Sequence, residues 1–181
     1  MPMYQNSAVS DAKVEVGNYA IYVASSAGTT VGGSWINLGA GMVKSFNYGA
    51  EPYTSQAGNA PDPVQGIARE TATIEIDLIE YDGSSFSILS GGAIAGTSGS
   101  ITVGGQTNVI PGRGLKLVNT RKLASGSTQT TTYVINNVFM NGGFNYTPKS
   151  DNDTDPVGVY SFSLLAKQYA TAQTLFTKTV G

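Results

Sequence analysis

From Arg69 to Tyr81 the sequence RETATIEIDLIEY alternates without a break, with Ala72, Ile74, Ile76 and Leu78 on one side and Thr71, Thr73, Glu75 and Asp77 on the other. A period of two with one apolar and one polar side predicts a strand with one face in a core and one in water. The same alternation returns near the end of the chain, where Gly158, Tyr160, Phe162, Leu164 and Ala166 interleave with Val159, Ser161, Ser163 and Leu165. Val14–Ala24 (VEVGNYAIYVA) reads as a strand with a bulge at Gly17-Asn18, and Met42–Thr54 as another with Phe46 and Tyr48 on one face. Between them WINLG carries the chain's one tryptophan, Trp35, read as a core anchor rather than a ligand platform. Leu115–Leu123 and Gln129–Met140 are strands joined by ASGS, and the run Thr130 to Thr132 suits a pleated surface. Gly142-Gly143 is a bulge or turn before Phe144–Thr147, and Thr174–Val180 closes the chain as a strand. Ser100–Val103 and Thr107–Ile110 flank Gly104-Gly105 as a short hairpin. Asp82-Gly83-Ser84 caps a short helix over Ser85–Ser90, with Phe86 and Leu89 inward and Gly91-Gly92 as its stop. The whole reads as an all-β sandwich or barrel with one short flanking α-helix.

Two stretches lack this pattern. Residues 1–12 are polar and would fill no core, which predicts an N-terminal arm. Residues 49–66 (GAEPYTSQAGNAPDPVQG) carry three prolines, which should end any strand ladder and leave a long inter-strand loop. Loops of that length inside a compact domain are commonly functional or disordered, so the stretch is either a floppy surface excursion or, the reading preferred, a segment whose Glu51, Pro52, Tyr53, Pro61, Asp62 and Pro63 order against a neighbouring subunit. At 181 residues the chain fits a single domain, 1–181, with these extensions.

Composition removes much chemistry. With no Cys and no His there is no disulfide frame, thiolate nucleophile, histidine-bound metal or Ser-His-Asp triad. A net charge of -2 with 10 Lys and Arg argues against a protein that grips nucleic acid through its phosphates. The opening MPMYQNSAVSDAKVEVG lacks the basic and apolar regions of a secretory leader, and no apolar run approaches the roughly 20 residues that span a bilayer, so a soluble protein made in a cytoplasm is expected.

The residues that remain make weak sites. Asp151, Asn152, Asp153 and Asp155 begin like a calcium loop, but Pro156 occupies the position of the obligatory glycine and no glutamate closes the pattern, so no metal is expected. Glu75, Asp77 and Glu80 could form an acid pair, yet nothing supplies a sugar platform. The segment PGRG at Pro111 has neither the lysine nor the strand-to-helix setting of a phosphate cradle. No catalytic residues and no cofactor are expected. The face Thr71, Thr73, Glu75 and Asp77 has two readings: an ordinary solvated sheet face, or a wall along which polyanionic DNA slides without sticking.

In order, the entry VEVGNYAIYVA, the WINLG segment, the Pro/Gly-rich stretch, the strand RETATIEIDLIEYD with the helix SSFSILSGG, and the ending YSFSLLAKQYATAQTLFTK resemble the major tail tube proteins of long-tailed bacteriophages over most of the chain. The resemblance implies a tail-tube-like β-sandwich that forms hexameric rings stacked into a tube, a structural virion protein assembled in a bacterial cytoplasm. Its partners would be copies of itself and other tail proteins such as the tape measure, terminator, baseplate or tip. DNA would transit without specific binding, and no membrane is involved. By order of elements, residues 49–66 would reach the adjacent ring and Thr71, Thr73, Glu75 and Asp77 would line the lumen. A terminator, baseplate ring or secretion tube would share the pattern. The rival from another class is a receptor- or carbohydrate-binding β-sandwich module, which calls for aromatic residues at loop tips, whereas the ten tyrosines lie mostly within expected strands.

Overall fold

The computed structural model describes residues 18–27, 34–55, 64–81, 87–89, 94–97, 100–103, 112–123, 125–148, 158–168 and 174–181. The strands are β1 (Tyr19–Ala27), β2 (Trp35–Ser55), β3 (Val64–Tyr81), β4 (Ile94–Thr97), β5 (Ser100–Val103), β6 (Arg113–Lys122), β7 (Thr128–Thr147), β8 (Val159–Lys167) and β9 (Phe176–Val180). One turn of helix spans residues 87–89, with Leu89 buried as expected; Phe86 lies outside the described residues. The protein is therefore nearly all antiparallel sheet.

The main sheet runs β6-β1-β2-β3-β8-β7-β9, and β6 also pairs with β7. That extra pairing closes every strand of the sheet except β9 into a barrel. Its inside is the core. Ile21, Val23, Leu38, Ala72, Ile74, Ile76, Leu78, Leu115, Leu117, Ile135 and Leu164 are essentially inaccessible to solvent, each large side chain contributing about 1.5–3 kcal/mol by leaving water. The alternation of β3 and β8 is realised as written: Ala72, Ile74, Ile76 and Leu78 lie opposite Ala166, Leu164, Phe162 and Tyr160 in unbroken antiparallel register.

Long strand β7 serves three neighbours because it bends. Thr128–Ile135 pairs with β6, Thr131–Ile135 with β9, and Val138–Thr147 with β8. At the bend Asn137 adopts a positive φ of 51°, which asparagine tolerates better than most residues, and its side chain donates to the Lys167 carbonyl at 2.8 Å. Farther on, the register shifts between Met140 and Phe144 at Gly142-Gly143, the bulge expected from sequence, with Gly142 at φ 90°.

Several expectations need correction. Trp35–Gly39 and Met42–Thr54 are one strand, and residues 49–66 are not all loop: the ladder continues from Gly49 opposite Thr71 to Ser55 opposite Val64. Pro52 sits at a register shift on a strand with no partner on its other side among the described residues, where a missing N–H costs no ladder bond. Ser100–Val103 pairs with Ile94–Thr97; Thr107–Ile110, the hairpin partner expected from sequence, lies outside the described residues. Trp35 is half-buried on the barrel wall rather than in the core, and Lys116 Nζ stands 4.9 Å from its ring and 4.5 Å from that of Tyr22. The nearly uncharged strand Gln129–Met140 is flanked on both sides and is no edge. β1 begins at Tyr19, and its register shift falls between Ile21 and Tyr22; residues 14–17 are outside the described set.

Candidate assembly surfaces

Two surfaces stand out from this barrel. The first is an arm. β1 pairs with β2 only as far as Gly41, and β3 pairs with β8 only from Thr71 onward. Beyond those limits β2 and β3 run on together, so that Ala50–Ser55 and Val64–Glu70 form a two-stranded ribbon with no other strand alongside among the described residues. Glu51 and Pro52, both expected in an inter-subunit segment, are exposed on this ribbon. Tyr53 lies on it by backbone, and Pro61, Asp62 and Pro63 fall outside the described residues. An unpaired ribbon presents rows of backbone donors and acceptors to any other chain.

The base of the arm is clamped. The Tyr48 hydroxyl donates to Glu70 Oε1 at 2.5 Å, and Phe46 meets Phe176 of β9 edge-on at 5.0 Å between centroids. The hydrogen bond to Glu70, with smaller contributions from desolvation and the carboxylate's charge, raises the Tyr48 pKa above its ordinary 10.0. A raised value means the protonated phenol is the form the fold favours. The contribution is complete below pH 10.0 and is lost as pH climbs through the folded-state value. Phenolate absorbance during an alkaline titration should therefore reveal a late-titrating tyrosine that returns toward 10.0 in Glu70→Gln; an unchanged titration curve in that variant would exclude the clamp.

The second surface is the outer face of β2, β3 and β8. Thr71, Thr73, Glu75 and Asp77 share it, as alternation requires, and the register adds Gly49, Asn47 and Ser45 across from Thr71, Thr73 and Glu75. On the other side Ser163 and Ser161 lie opposite Glu75 and Asp77. The sequence named the four β3 residues but missed their neighbours. The alternation of β8 carried the signal for Ser161 and Ser163; what was absent was any clue that β8 would lie beside β3.

Charge on this face is more balanced than the sequence implied. Lys44 projects from a β2 bulge between Val43 and Ser45, and its Nζ reaches Asp77 Oδ2 at 3.0 Å while Ser161 donates to Oδ1 at 2.5 Å. Asp77 is thus neutralised and fixed, and Glu75 is the exposed carboxylate that remains. The Gly142-Gly143 bulge opens a shallow depression of about 390 Å³ here, lined by Lys44, Glu75, Asp77, Asn145, Ser161 and Ser163 among others. Among the described residues no group of three or more acidic side chains comes together to hold a metal, and no helix is long and apolar enough to cross a membrane. Asp151, Asn152, Asp153 and Asp155 are outside the described residues, as is Pro111, and the Glu80 side chain is not among those described.

Compared with known proteins, the chain matches no family model and no curated protein. Among solved structures it is similar to the tube-terminating cap of the anti-feeding prophage, with 13% identity and a TM-score of 0.44 over 99% of this chain and 100% of that one. It is also similar to an Hcp protein, with 10% identity and a TM-score of 0.35 over 91% and 99% of the two chains.

Proposed function

We propose that this chain is a structural subunit that assembles with copies of itself into hexameric rings stacked as a tube, the tail tube of a bacteriophage or a related device. The observation that carries this reading is the β2–β3 ribbon, which over Glu51–Ser55 and Val64–Arg69 runs past its neighbours with both edges unpaired among the described residues. A barrel already closed needs no such extension for its own stability; a second copy supplies the missing strand partners, and a head-to-tail contact of this kind propagates along an axis. In this reading Glu51, Pro52, Tyr53, Pro61, Asp62 and Pro63 contact the next ring, and other tail proteins close the two ends.

The outer face of β2, β3 and β8 then lines the channel. Its hydroxyls and amides offer duplex DNA weak, exchangeable contacts, while of its two lysines Lys44 is held by Asp77 and Lys167, opposite Thr71, stands at the rim of the face. Glu75 adds a repulsive charge. The work is geometric and electrostatic, with no catalytic step. Glu75→Lys tests it: assembled particles of the variant should retain duplex DNA at low salt and release it as salt rises, while wild-type particles retain none. Equal retention by both would place this face away from the channel.

A further inference from the structure

The bulge in β7 carries a chemical weak point. Asn141-Gly142 is the one Asn-Gly step in the sequence, and it falls where the β7–β8 register shifts between Met140 and Phe144. Asn141, Gly142 and Gly143 have no register partner in β8, and the pairing of β7 with β6 ends at Val138. All three residues are exposed. Gly142 sits at φ 90°, and a Cβ there or on Gly143 would have no atom within 4 Å.

We propose that Asn141 is a site of spontaneous deamidation, which converts it to aspartate or isoaspartate. The Gly142 backbone nitrogen gives up its proton and attacks Asn141 Cγ. The new N–Cγ bond closes a succinimide ring, the Cγ–Nδ2 bond breaks, and Nδ2 leaves as ammonia, taking up a proton. Water then adds at either succinimide carbonyl and reopens the ring. A side chain on the following residue obstructs the attack, and glycine has none. A ladder hydrogen bond would tie up the attacking nitrogen, and the register places none at Gly142 among the described residues.

Other asparagines of the barrel show what protection looks like. The Nδ2 groups of Asn119, Asn136 and Asn137 donate to the carbonyls of Asn18, Thr174 and Lys167 at 2.9, 2.7 and 2.8 Å, which fixes each side chain. They are followed by Thr120, Asn137 and Val138, whose side chains crowd the attacking nitrogen. No hydrogen bond holds the Asn141 side chain among the described residues. Asn145 gives the closest contrast: it is exposed on the same strand, but it is paired opposite Ser161 and followed by Tyr146. Conversion adds a carboxylate two residues before Gly143, which lines the depression shared by Glu75 and Lys44. The isoaspartate product also lengthens the β7 backbone by a methylene, and the open space around Gly142-Gly143 accommodates it without loss of a ladder bond. The inference concerns the single chain and stands whether or not copies assemble into a tube.

The full chain, held at mildly alkaline pH in water enriched in heavy oxygen and then digested under acidic conditions, tests this by peptide mass spectrometry. Conversion at Asn141, marked by heavy oxygen, should run roughly tenfold or more ahead of Asn145, because only glycine leaves the attack unshielded. Gly142→Ala should slow conversion at Asn141 by a similar factor and leave Asn145 unchanged. Conversion at Asn141 no faster than at Asn145 would overturn the proposal, and that comparison lies within the unaltered chain, so it decides even if strain at φ 90° unfolds the alanine variant. Equal rates in a folded Gly142→Ala and the wild type would overturn it as well.

Discussion

Replacing residues 51–69 with an Asn-Gly turn should leave the barrel folded and abolish the tube assembly proposed for this chain. Ala50 pairs with Glu70, so the shortened hairpin closes where the ladder is still in register, and the Tyr48–Glu70 clamp is retained. None of the described residues removed belongs to the buried core. The midpoint of thermal unfolding should move by no more than a few degrees, the size expected for about 1 kcal/mol in a domain of this length, while sedimentation shows loss of all species larger than a ring. Tubes of ordinary length built from the shortened chain would mean the arm is a passive excursion.

Gly41→Val has the opposite signature, loss of the fold itself. Gly41 is buried at the β2 register shift where β1 pairing ends, and a Cβ there would run into the Asp77 carbonyl and come within 2.9 Å of Leu78 Cα. Both obstacles are backbone of the central strand β3, so no side chain can rotate away. Overpacking usually costs about 1–3 kcal/mol where the core can relax; here the strain falls on a ladder that cannot, and the expected loss is at the upper end or beyond. Circular dichroism and chemical denaturation should show a largely unfolded or strongly destabilised variant, with Gly49→Val as the contrast. Gly49 is exposed, its nearest obstacle is the Thr71 hydroxyl at 3.4 Å, and that substitution should cost well under 1 kcal/mol. Equal stability of the two variants would contradict the packing described at Gly41.

The difference between what sequence made legible and what it hid follows from locality. The inward faces of β3 and β8 were readable because alternation is a property of consecutive residues, and every inward position from Ala72 to Leu78 is fully buried. Their adjacency was not readable, since pairing between strands some 80 residues apart leaves no local mark. Pro52 misled because a proline argues against an interior strand, whereas β2 is an edge there. Asn137 hid a bend: VINNVFM shows apolar residues falling out of phase across two asparagines, but only the positive φ at the second reveals that the strand changes partners. Trp35 reads as a core residue by size, yet it is half-buried, with Lys116 Nζ over its ring.

The face proposed for the channel shows the same limit. Thr71, Thr73, Glu75 and Asp77 were grouped correctly by their spacing, yet the charge they present depends on Lys44, which reaches Asp77 from another strand through a bulge. A face that reads as acidic in one strand is close to neutral in the sheet. Passage of DNA through a channel of this kind would rest more on the balance of Lys44 and Lys167 against Asp77 and Glu75 than on repulsion.

Electron microscopy of the purified chain, concentrated alone, decides whether it builds a tube. Hollow cylinders of uniform diameter made of stacked rings are expected, with the polar face of β2, β3 and β8 toward the bore. Particles that stay monomeric at every concentration, or filaments with no central channel, would contradict the tube reading.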